Sequence, residues 1–209
     1  MRILFVRHGE SVANVDRIFS NRSIVHPLTT KGREQVLALA EKLKYQGITT
    51  IFSSSICRAV ESAEILSEQL GVPRSIEPAL AEWDVGIYEG RPLDEGWQDY
   101  LAVEKKWTSG ELNAKISGGE SCNEIRARFV PFIQRLIKQF SDRDDAAILL
   151  VGHGGTYRHA LPVVLANVSC EYAMAHGLAN TAYVEAKWRD GALHCVRWCD
   201  EVFNGSAAD

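Results

Sequence analysis

The sequence predicts an α/β fold of three layers, in which a mostly parallel central sheet carries helices on both faces and ends in an antiparallel C-terminal edge hairpin. Short apolar runs, among them Ile3–Val6 and Ile148–Val151, alternate along the chain with longer segments whose apolar residues recur at helical spacing. Strands that are separated by helices usually pair in parallel. The hairpin is predicted from Ala182–Trp188 and Ala192–Trp198, which alternate apolar and polar residues on either side of Arg189-Asp190-Gly191.

The first third of the chain contains two strand–helix units and a short third strand. Ile3–Val6 is short and apolar, as buried strands are, and Thr29–Gln46 has the helical period. Thr49–Phe52 is the second predicted strand. Ser53–Ser55 follows it and is interpreted as the N-cap cluster of the next helix, since serine is favoured at that position. Ser75–Ile76 completes this part as a short strand.

The middle of the chain is less regular. Residues 81–119 contain three of the five tryptophans and six of the sixteen glycines, which indicates a loop-and-helix insertion that roofs a pocket as a lid. An amphipathic helix is predicted over Glu120–Phe140, followed by the buried strand Ile148–Val151 and a helix from about Thr156 to Leu165. No repeat or linker interrupts this pattern, so the sequence predicts a single domain.

Composition limits the function classes. The net charge of -4 and the absence of a basic run disfavour nucleic acid as a partner, and no apolar run is long enough to cross a membrane. The five cysteines are scattered, which favours reduced thiols in a cytoplasmic protein. We expect one domain over residues 1–203, a disordered tail over 204–209 and a small-molecule partner; a homodimer is compatible with all of these features.

Basic residues follow three of the predicted strands. Arg7-His8-Gly9 ends the first strand, Arg58 follows the second, and Gly152–Gly155 with its His153 ends the fourth. In open parallel sheets, ligands bind beyond the carboxyl ends of the strands. Arginine matches phosphate oxygens two at a time, and glycines let backbone N–H groups approach an anion. The sequence therefore predicts an anion site. A metal site is disfavoured, because arginines are not metal ligands and no carboxylate cluster adjoins the histidines.

This set of residues suits phosphoryl transfer. A neutral imidazole attacks phosphorus when its other nitrogen is held as a donor, and arginines neutralise charge on the transferring group. The leaving oxygen also needs a proton. Glu82, Asp84 and Glu89 are the candidate acids, and the pattern alone does not choose among them.

These motifs resemble those of the histidine phosphatase superfamily, in its phosphoglycerate-mutase-like branch of the phosphatase type. The matching segments occur in family order and span most of the chain. They are R-H-G-E-S-V-A-N at Arg7–Asn14, P-L-T-T-K-G-R-E-Q at Pro27–Gln35, S-S-S-I-C-R-A-V-E-S-A at Ser53–Ala63, L-A-E-W-D-V-G-I-Y-E-G at Leu80–Gly90, G-G-E-S at Gly118–Ser121 and V-G-H-G-G at Val151–Gly155.

The resemblance implies a phosphoglycerate-mutase-like fold and a role for each site residue. His8 would be the phosphorylated nucleophile and Glu82 the proton donor, and no metal or cofactor would be needed. The residues implied to hold the phosphoryl group are Arg7, Arg58 and His153. The further binding groups implied are Asn14 and the backbone at Gly154.

The chain departs from the family at a few positions. Ala13 stands where many relatives have tryptophan, and Ser62 where they often have threonine. A loop that usually carries a glycine near the phosphate reads F-S-N-R-S. We expect Asn21 to replace that glycine as a substrate-binding residue, because asparagine tolerates left-handed backbone.

Three functions fit the motifs. The first is a phosphomonoesterase that hydrolyses a small phosphorylated metabolite through phosphohistidine. The second is a cofactor-dependent phosphoglycerate mutase, disfavoured because the segment after Glu82 is short and acidic where the mutases carry a longer insertion. The third is a non-catalytic protein that binds a phosphate-bearing ligand. The lid aromatics either line the entrance or pack the lid onto the body, and we favour packing. They are Trp83, Tyr88, Trp97, Tyr100 and Trp107.

Overall fold

A seven-stranded mixed sheet forms the centre of the molecule. The computed structural model describes residues 1–22 and 26–203, so the predicted tail at 204–209 lies outside the described residues. The strands are β1 (Arg2–Arg7), β2 (Ile48–Ser53), β3 (Arg74–Ile76), β4 (Ala147–Gly152), β5 (Tyr183–Arg189), β6 (Ala192–Trp198) and β7 (Glu201–Val202). Their order across the sheet is β3-β2-β4-β1-β5-β6-β7.

The sheet has a parallel core and an antiparallel C-terminal edge. In the parallel core, β4 pairs with β1 on one side and with β2 on the other, and β2 also pairs with β3. At the C-terminal edge, β5 pairs with β1, β6 with β5 and β7 with β6, all antiparallel. This arrangement confirms the predicted fold class. All six predicted strands exist, and β7, which has only two residues, was not predicted because so short a segment carries no periodicity.

Helices cover both faces of the sheet, because successive side chains of each strand point to opposite faces. The helices are α1 (Val12–Asp16), α2 (Thr30–Leu43), α3 (Cys57–Leu70), α4 (Leu93–Thr108), α5 (Cys122–Phe140), α6 (Gly154–Val164) and α7 (Cys170–Ala175). Leu4 and Val6 pack with α2 and α3 on one face, whereas Ile3 and Phe5 pack with α5 and α6 on the other. Within the described residues, no helix has both the length and the apolar character needed to span a membrane.

Two local predictions were wrong. α6 begins at Gly154 and not at Thr156, with His153 as its N-cap, so both glycines of the H-G-G motif belong to its first turn. The N-cap of α3 is Ile56, and no serine of Ser53–Ser55 caps this helix. Ser54 instead accepts a hydrogen bond from the backbone N–H of Ile56 and faces the interior. α1 and α7 were not predicted, since each is under two turns long.

The segment before α4 is tied to the loop that follows α1. Phe19 donates its N–H to Arg91 O at 2.9 Å and accepts from Gly90 N at 2.8 Å, and Leu93 N donates to Arg17 O at 2.7 Å. These bonds resemble those of a two-stranded ladder. They fix the start of α4 beside the carboxyl end of β1, where the candidate site lies.

Candidate active site

The carboxyl ends of β2, β4 and β1 are adjacent and open into one pocket. His8 follows β1 and donates its backbone N–H to Gly152 O of β4 at 3.0 Å. Arg58 enters from the first turn of α3, which follows β2. The cavity has a volume of about 180 Å³. It is lined by Arg7, His8, Ala13, Asn14, Ile18, Phe19, Ser20, Asn21, Arg58, Glu82, Trp83, Leu93, Trp97 and Tyr100.

The protonation of the His8 ring follows from its two partners. Nδ1 lies 2.6 Å from Gly9 O, and a carbonyl oxygen can only accept, so Nδ1 carries the proton. Nε2 receives a hydrogen bond from Arg58 Nε at 2.9 Å, and a guanidinium can only donate. Nε2 therefore keeps its lone pair. Burial lowers the pKa of His8 well below its ordinary value, and the charges of Arg58 and Arg7 lower it further, so the ring is neutral.

Arg58 and Arg7 are the two cations of the pocket. Burial lowers the pKa of Arg58 to about 10, which still leaves it charged at neutral pH. Burial also lowers the pKa of Arg7, whose Nη1 donates to Leu178 O at 2.6 Å. The Nε of Arg7 is buried and has no hydrogen-bond partner among the described residues. An unpaired buried N–H is costly, and an anion oxygen in the pocket would satisfy it.

His153 lies behind the pocket and is not part of its wall. It is fully buried, with its ring centroid 5.0 Å from that of His8. Nδ1 is 3.3 Å from Arg58 Nη2 and must accept from it, so Nε2 carries the proton and donates to Ser54 Oγ at 2.8 Å. Burial, followed by the charge of Arg58, lowers the pKa of His153 well below its ordinary value. In this structure, His153 and Ser54 therefore orient Arg58.

Glu82 is held at the N-terminus of α6. Its Oε1 accepts from Trp83 N at 3.0 Å and from Thr156 N at 2.6 Å. Thr156 Oγ1 is also 3.0 Å from Oε1, but its single proton is donated to the nearer Ala81 O at 2.7 Å. The Oε2 of Glu82 accepts from Gly155 N at 3.0 Å and from no other group of the described residues. A side chain at Gly155 would place Cβ 2.8 Å from Oε1, so glycine there is required by the approach of the carboxyl group.

The two other candidate acids lie outside the pocket wall. Asp84 accepts from Gly86 N at 2.7 Å and pairs with Arg22. Glu89 accepts from Asn21 N at 2.7 Å and from Arg22 N at 3.0 Å. Of the three carboxylates, Glu82 is the one that the structure brings to the pocket.

The remaining predicted binding residues have different environments. Asn14 lines the pocket, and its Oδ1 accepts from Ser11 N at 3.1 Å and from Asn180 Nδ2 at 3.3 Å. Gly154 lies beside the Arg7 side chain, where an added Cβ would be 3.4 Å from Arg7 Cδ, and does not line the cavity. Asn180, which also donates to His8 O at 3.1 Å, was missed because no motif marks it.

Asn21 lines the pocket, but the reason given for its presence was wrong. Among the described residues other than glycine, those with positive φ are Arg17, Thr181, Asp190 and Cys199. Asn21 is therefore not in left-handed backbone. Its side chain donates from Nδ2 to Trp83 O at 2.5 Å, which ties the loop after α1 to the segment carrying Glu82.

The lid aromatics divide between the two expectations. Trp83, Trp97 and Tyr100 line the pocket, although Trp83 is buried. Trp107 is buried and donates from Nε1 to Ala114 O at 2.7 Å, and Tyr88 packs on α4 and donates its hydroxyl to Asp99 at 2.5 Å. Packing therefore describes Trp107 and Tyr88, whereas Trp97 and Tyr100 face the entrance.

A larger cavity of about 600 Å³ lies elsewhere, between α5, α6 and the β5–β6 hairpin. It shares no lining residue with the strand-end pocket, and its only ionisable lining side chain among the described residues is Lys138. It lacks the groups that acid–base or phosphoryl chemistry requires.

Comparison with known proteins agrees with this geometry. The model of the histidine phosphatase superfamily (branch 1) matches residues 3–201. "Probable phosphoglycerate mutase GpmB" of Salmonella paratyphi B is 32% identical over 128 residues, which is 61% of this chain and 59% of that protein. The match thus spans about three fifths of that relative.

Solved structures share the fold over nearly the whole chain. "Mycobacterial hydrolase 1" has a TM-score of 0.80 at 25% identity, covering 99% of both chains. The mycobacterial glucosyl-3-phosphoglycerate phosphatase in complex with VO3 has a TM-score of 0.79 at 24% identity, covering 98% of this chain and 99% of that one. The same phosphatase also binds inorganic phosphate.

Proposed function

Because the chain belongs to the histidine phosphatase superfamily (branch 1), we propose that it is a metal-independent phosphomonoesterase, which hydrolyses a small phosphorylated metabolite in the cytoplasm through a phosphohistidine intermediate. The observation that carries the proposal is the state of His8. Its Nδ1 proton is donated to Gly9, and its Nε2 lone pair lies in a pocket with two guanidinium groups. A nucleophile and the charges that stabilise a phosphoryl group are thus preorganised together.

In the first step, the hydrogen bond from Arg58 Nε to His8 Nε2 breaks, Nε2 attacks phosphorus with the lone pair thus freed, and the bond from phosphorus to the ester oxygen breaks. The bonding electrons go to the leaving oxygen, and Glu82 in its acid form donates a proton to it, so that the alcohol departs. Oε2 is the oxygen that has room for this proton, because it accepts one backbone hydrogen bond and Oε1 accepts two. Arg58 and Arg7 stabilise the nonbridging oxygens.

In the second step, water attacks the phosphorus of phosphohistidine. Glu82, now a carboxylate, takes a proton from that water, and the bond from phosphorus to Nε2 breaks. His8 regains its lone pair, Glu82 regains its proton, and inorganic phosphate leaves. His153 keeps Arg58 in position throughout, through the contact at 3.3 Å.

Two other functions are kept as alternatives. The relative named as a probable phosphoglycerate mutase favours an isomerase, but a mutase must hold a bisphosphorylated intermediate, and the pocket wall has no cation beyond Arg7 and Arg58 among the described residues. A non-catalytic phosphate-binding protein would not need a carboxyl group in the pocket, yet the backbone N–H groups at the start of α6 hold that of Glu82 there.

The test is a pair of assays on the whole chain. Wild-type protein is expected to release phosphate from p-nitrophenyl phosphate in steady state, and His8→Ala is expected to release none while keeping its far-UV circular dichroism spectrum. With 3-phosphoglycerate and its bisphosphate cofactor, isomerisation should be absent. Isomerisation faster than phosphate release would favour the mutase, and lack of turnover in both assays would favour the binding protein.

A further inference from the structure

We propose that the pocket selects phosphate esters whose leaving group is a single uncharged aromatic ring, and that Trp97 is the residue which recognises this ring by stacking. The inference rests on the proposed phosphatase function and adds the substrate class. It combines the distribution of charge in the pocket with the arrangement of the aromatic rings at its entrance.

Arg7 and Arg58, the cations that line the pocket among the described residues, both bind the phosphoryl group in the proposed mechanism. Arg7 and Arg58 are buried beside His8, at the carboxyl ends of the strands. Near the rim, Arg22 is paired with Asp84 and donates to Gly118 O at 2.7 Å, and Arg91 lies 3.6 Å from Glu95. A second anionic group on the substrate would therefore find no unpaired cation among the described pocket residues.

The pocket wall beyond the phosphoryl site has an apolar and aromatic side beside the polar residues Asn14, Ser20 and Asn21. The residues of the apolar side are Ala13, Ile18, Phe19, Leu93, Trp97 and Tyr100. Burying an anionic or strongly hydrated leaving group against this apolar side is unfavourable. Apolar surface of the leaving group would be buried favourably there.

Trp97 is the aromatic residue of this wall with an open side. Its ring stacks on Tyr100, with centroids 4.9 Å apart and an interplanar angle of 9°. Tyr100 in turn packs on Trp83 at 4.8 Å and on Phe19 at 6.0 Å, so its position is fixed from behind. Trp97 nevertheless remains 42% exposed. An exposed indole held rigidly in a stack offers a planar surface at low entropic cost.

The size of the cavity points to one ring. A volume of about 180 Å³ is below the roughly 300–1,000 Å³ that drug-sized ligands occupy. A phosphoryl group with a single six-membered ring therefore suits it better than a nucleotide does.

The experiment compares benzyl phosphate with cyclohexylmethyl phosphate. The two esters have the same carbon skeleton and similarly poor leaving groups, but only benzyl has a planar ring. We expect the wild-type kcat/KM for benzyl phosphate to be about 2- to 13-fold higher, which is the range that stacking adds beyond buried area. Trp97→Leu and Trp97→Ala should bring this ratio to about 1. Leu101→Ala, an exposed position on the same helix outside the pocket, should leave the ratio unchanged.

A second pair of ligands separates this inference from the proposed function. Calorimetry with benzylphosphonate and cyclohexylmethylphosphonate, which are not hydrolysed, should show the same preference and the same loss in Trp97→Leu. An unchanged ratio in the Trp97 variants, or wild-type activity on 3-phosphoglycerate equal to that on benzyl phosphate, would overturn the aromatic specificity while leaving the phosphatase intact. If wild-type protein hydrolyses no ester, the proposed function fails. Equal binding of the two phosphonates would overturn the ring preference, whether or not the protein hydrolyses esters.

Discussion

The proton donor can be tested with Glu82→Gln, whose consequences follow from the three backbone hydrogen bonds that the Glu82 carboxyl group accepts. Glutamine has the shape of glutamate, but one of its terminal atoms is an NH2 group that cannot accept. The orientation that loses least places NH2 at the position of Oε2, which among the described residues accepts from Gly155 N alone, and not at Oε1, which accepts from Trp83 N and Thr156 N. One buried N–H is then unpaired, which costs about 1–3 kcal/mol of folding free energy. The side chain stays in place.

In catalysis the variant has no proton to donate. General acid catalysis contributes about 10²- to 10⁴-fold, so phosphorylation of His8 by benzyl phosphate, whose alkoxide leaves poorly, should slow by that factor. Phosphorylation by p-nitrophenyl phosphate should slow by less than about tenfold, since nitrophenolate leaves without a proton. Rapid-quench measurement of the pre-steady-state burst with both esters gives the two rates separately from dephosphorylation.

Asp84→Asn is the matched control for this measurement. Asp84 is a neighbouring carboxylate whose bonds to Gly86 and Arg22 lie outside the pocket wall. It should leave the ratio of the two burst rates unchanged. Equal losses with both esters in Glu82→Gln would refute the assignment of the acid, as would a selective loss with benzyl phosphate in Asp84→Asn.

Three further predictions follow from the same contacts. Arg58→Ala should lower kcat, because it removes about 2–4 kcal/mol of transition-state stabilisation. A change confined to KM would instead show that Arg58 only binds the ground state. EDTA should leave kcat unchanged, because Arg7 and Arg58 supply the positive charge at the phosphoryl group; loss of activity that a divalent ion restores would contradict this. The pKa values of His8 and His153 are lowered in the folded state, so below about pH 6.5 the unfolded chain binds protons that the folded chain does not. Their contribution to stability is complete above that pH and falls, as the pH is lowered, by up to about 1.4 kcal/mol per pH unit for each ring. Urea unfolding between pH 7.5 and 5.5 should show this slope, and a slope equal to wild type in His153→Asn would contradict it.

Much of the fold follows from the sequence because its signals are local. The apolar runs of β1 and β4 and the Asp-Gly turn of the hairpin need no information from distant residues. Once β1, β2 and β4 are parallel neighbours, the residues at their carboxyl ends must lie together. Topology alone therefore predicts that His8 and Arg58 lie at one site.

The errors concern contacts between residues far apart in the chain. The helix predicted from about Thr156 begins at Gly154 in the structure, where Glu82 accepts from the N–H groups of its first turn and stabilises that end. The interpretation of Ser54 as a helix cap failed because its partner is His153, 99 positions away. No local pattern specifies either interaction.

Trapping the covalent intermediate tests the central claim most directly. Wild-type protein mixed with substrate carrying labelled phosphorus is quenched within milliseconds in alkaline detergent, in which phosphohistidine survives, and is then digested and mapped by mass spectrometry. We predict label on the ring of His8, lost on exposure to acid and absent from His8→Ala. Label on any other residue, or label retained by His8→Ala, would contradict the account.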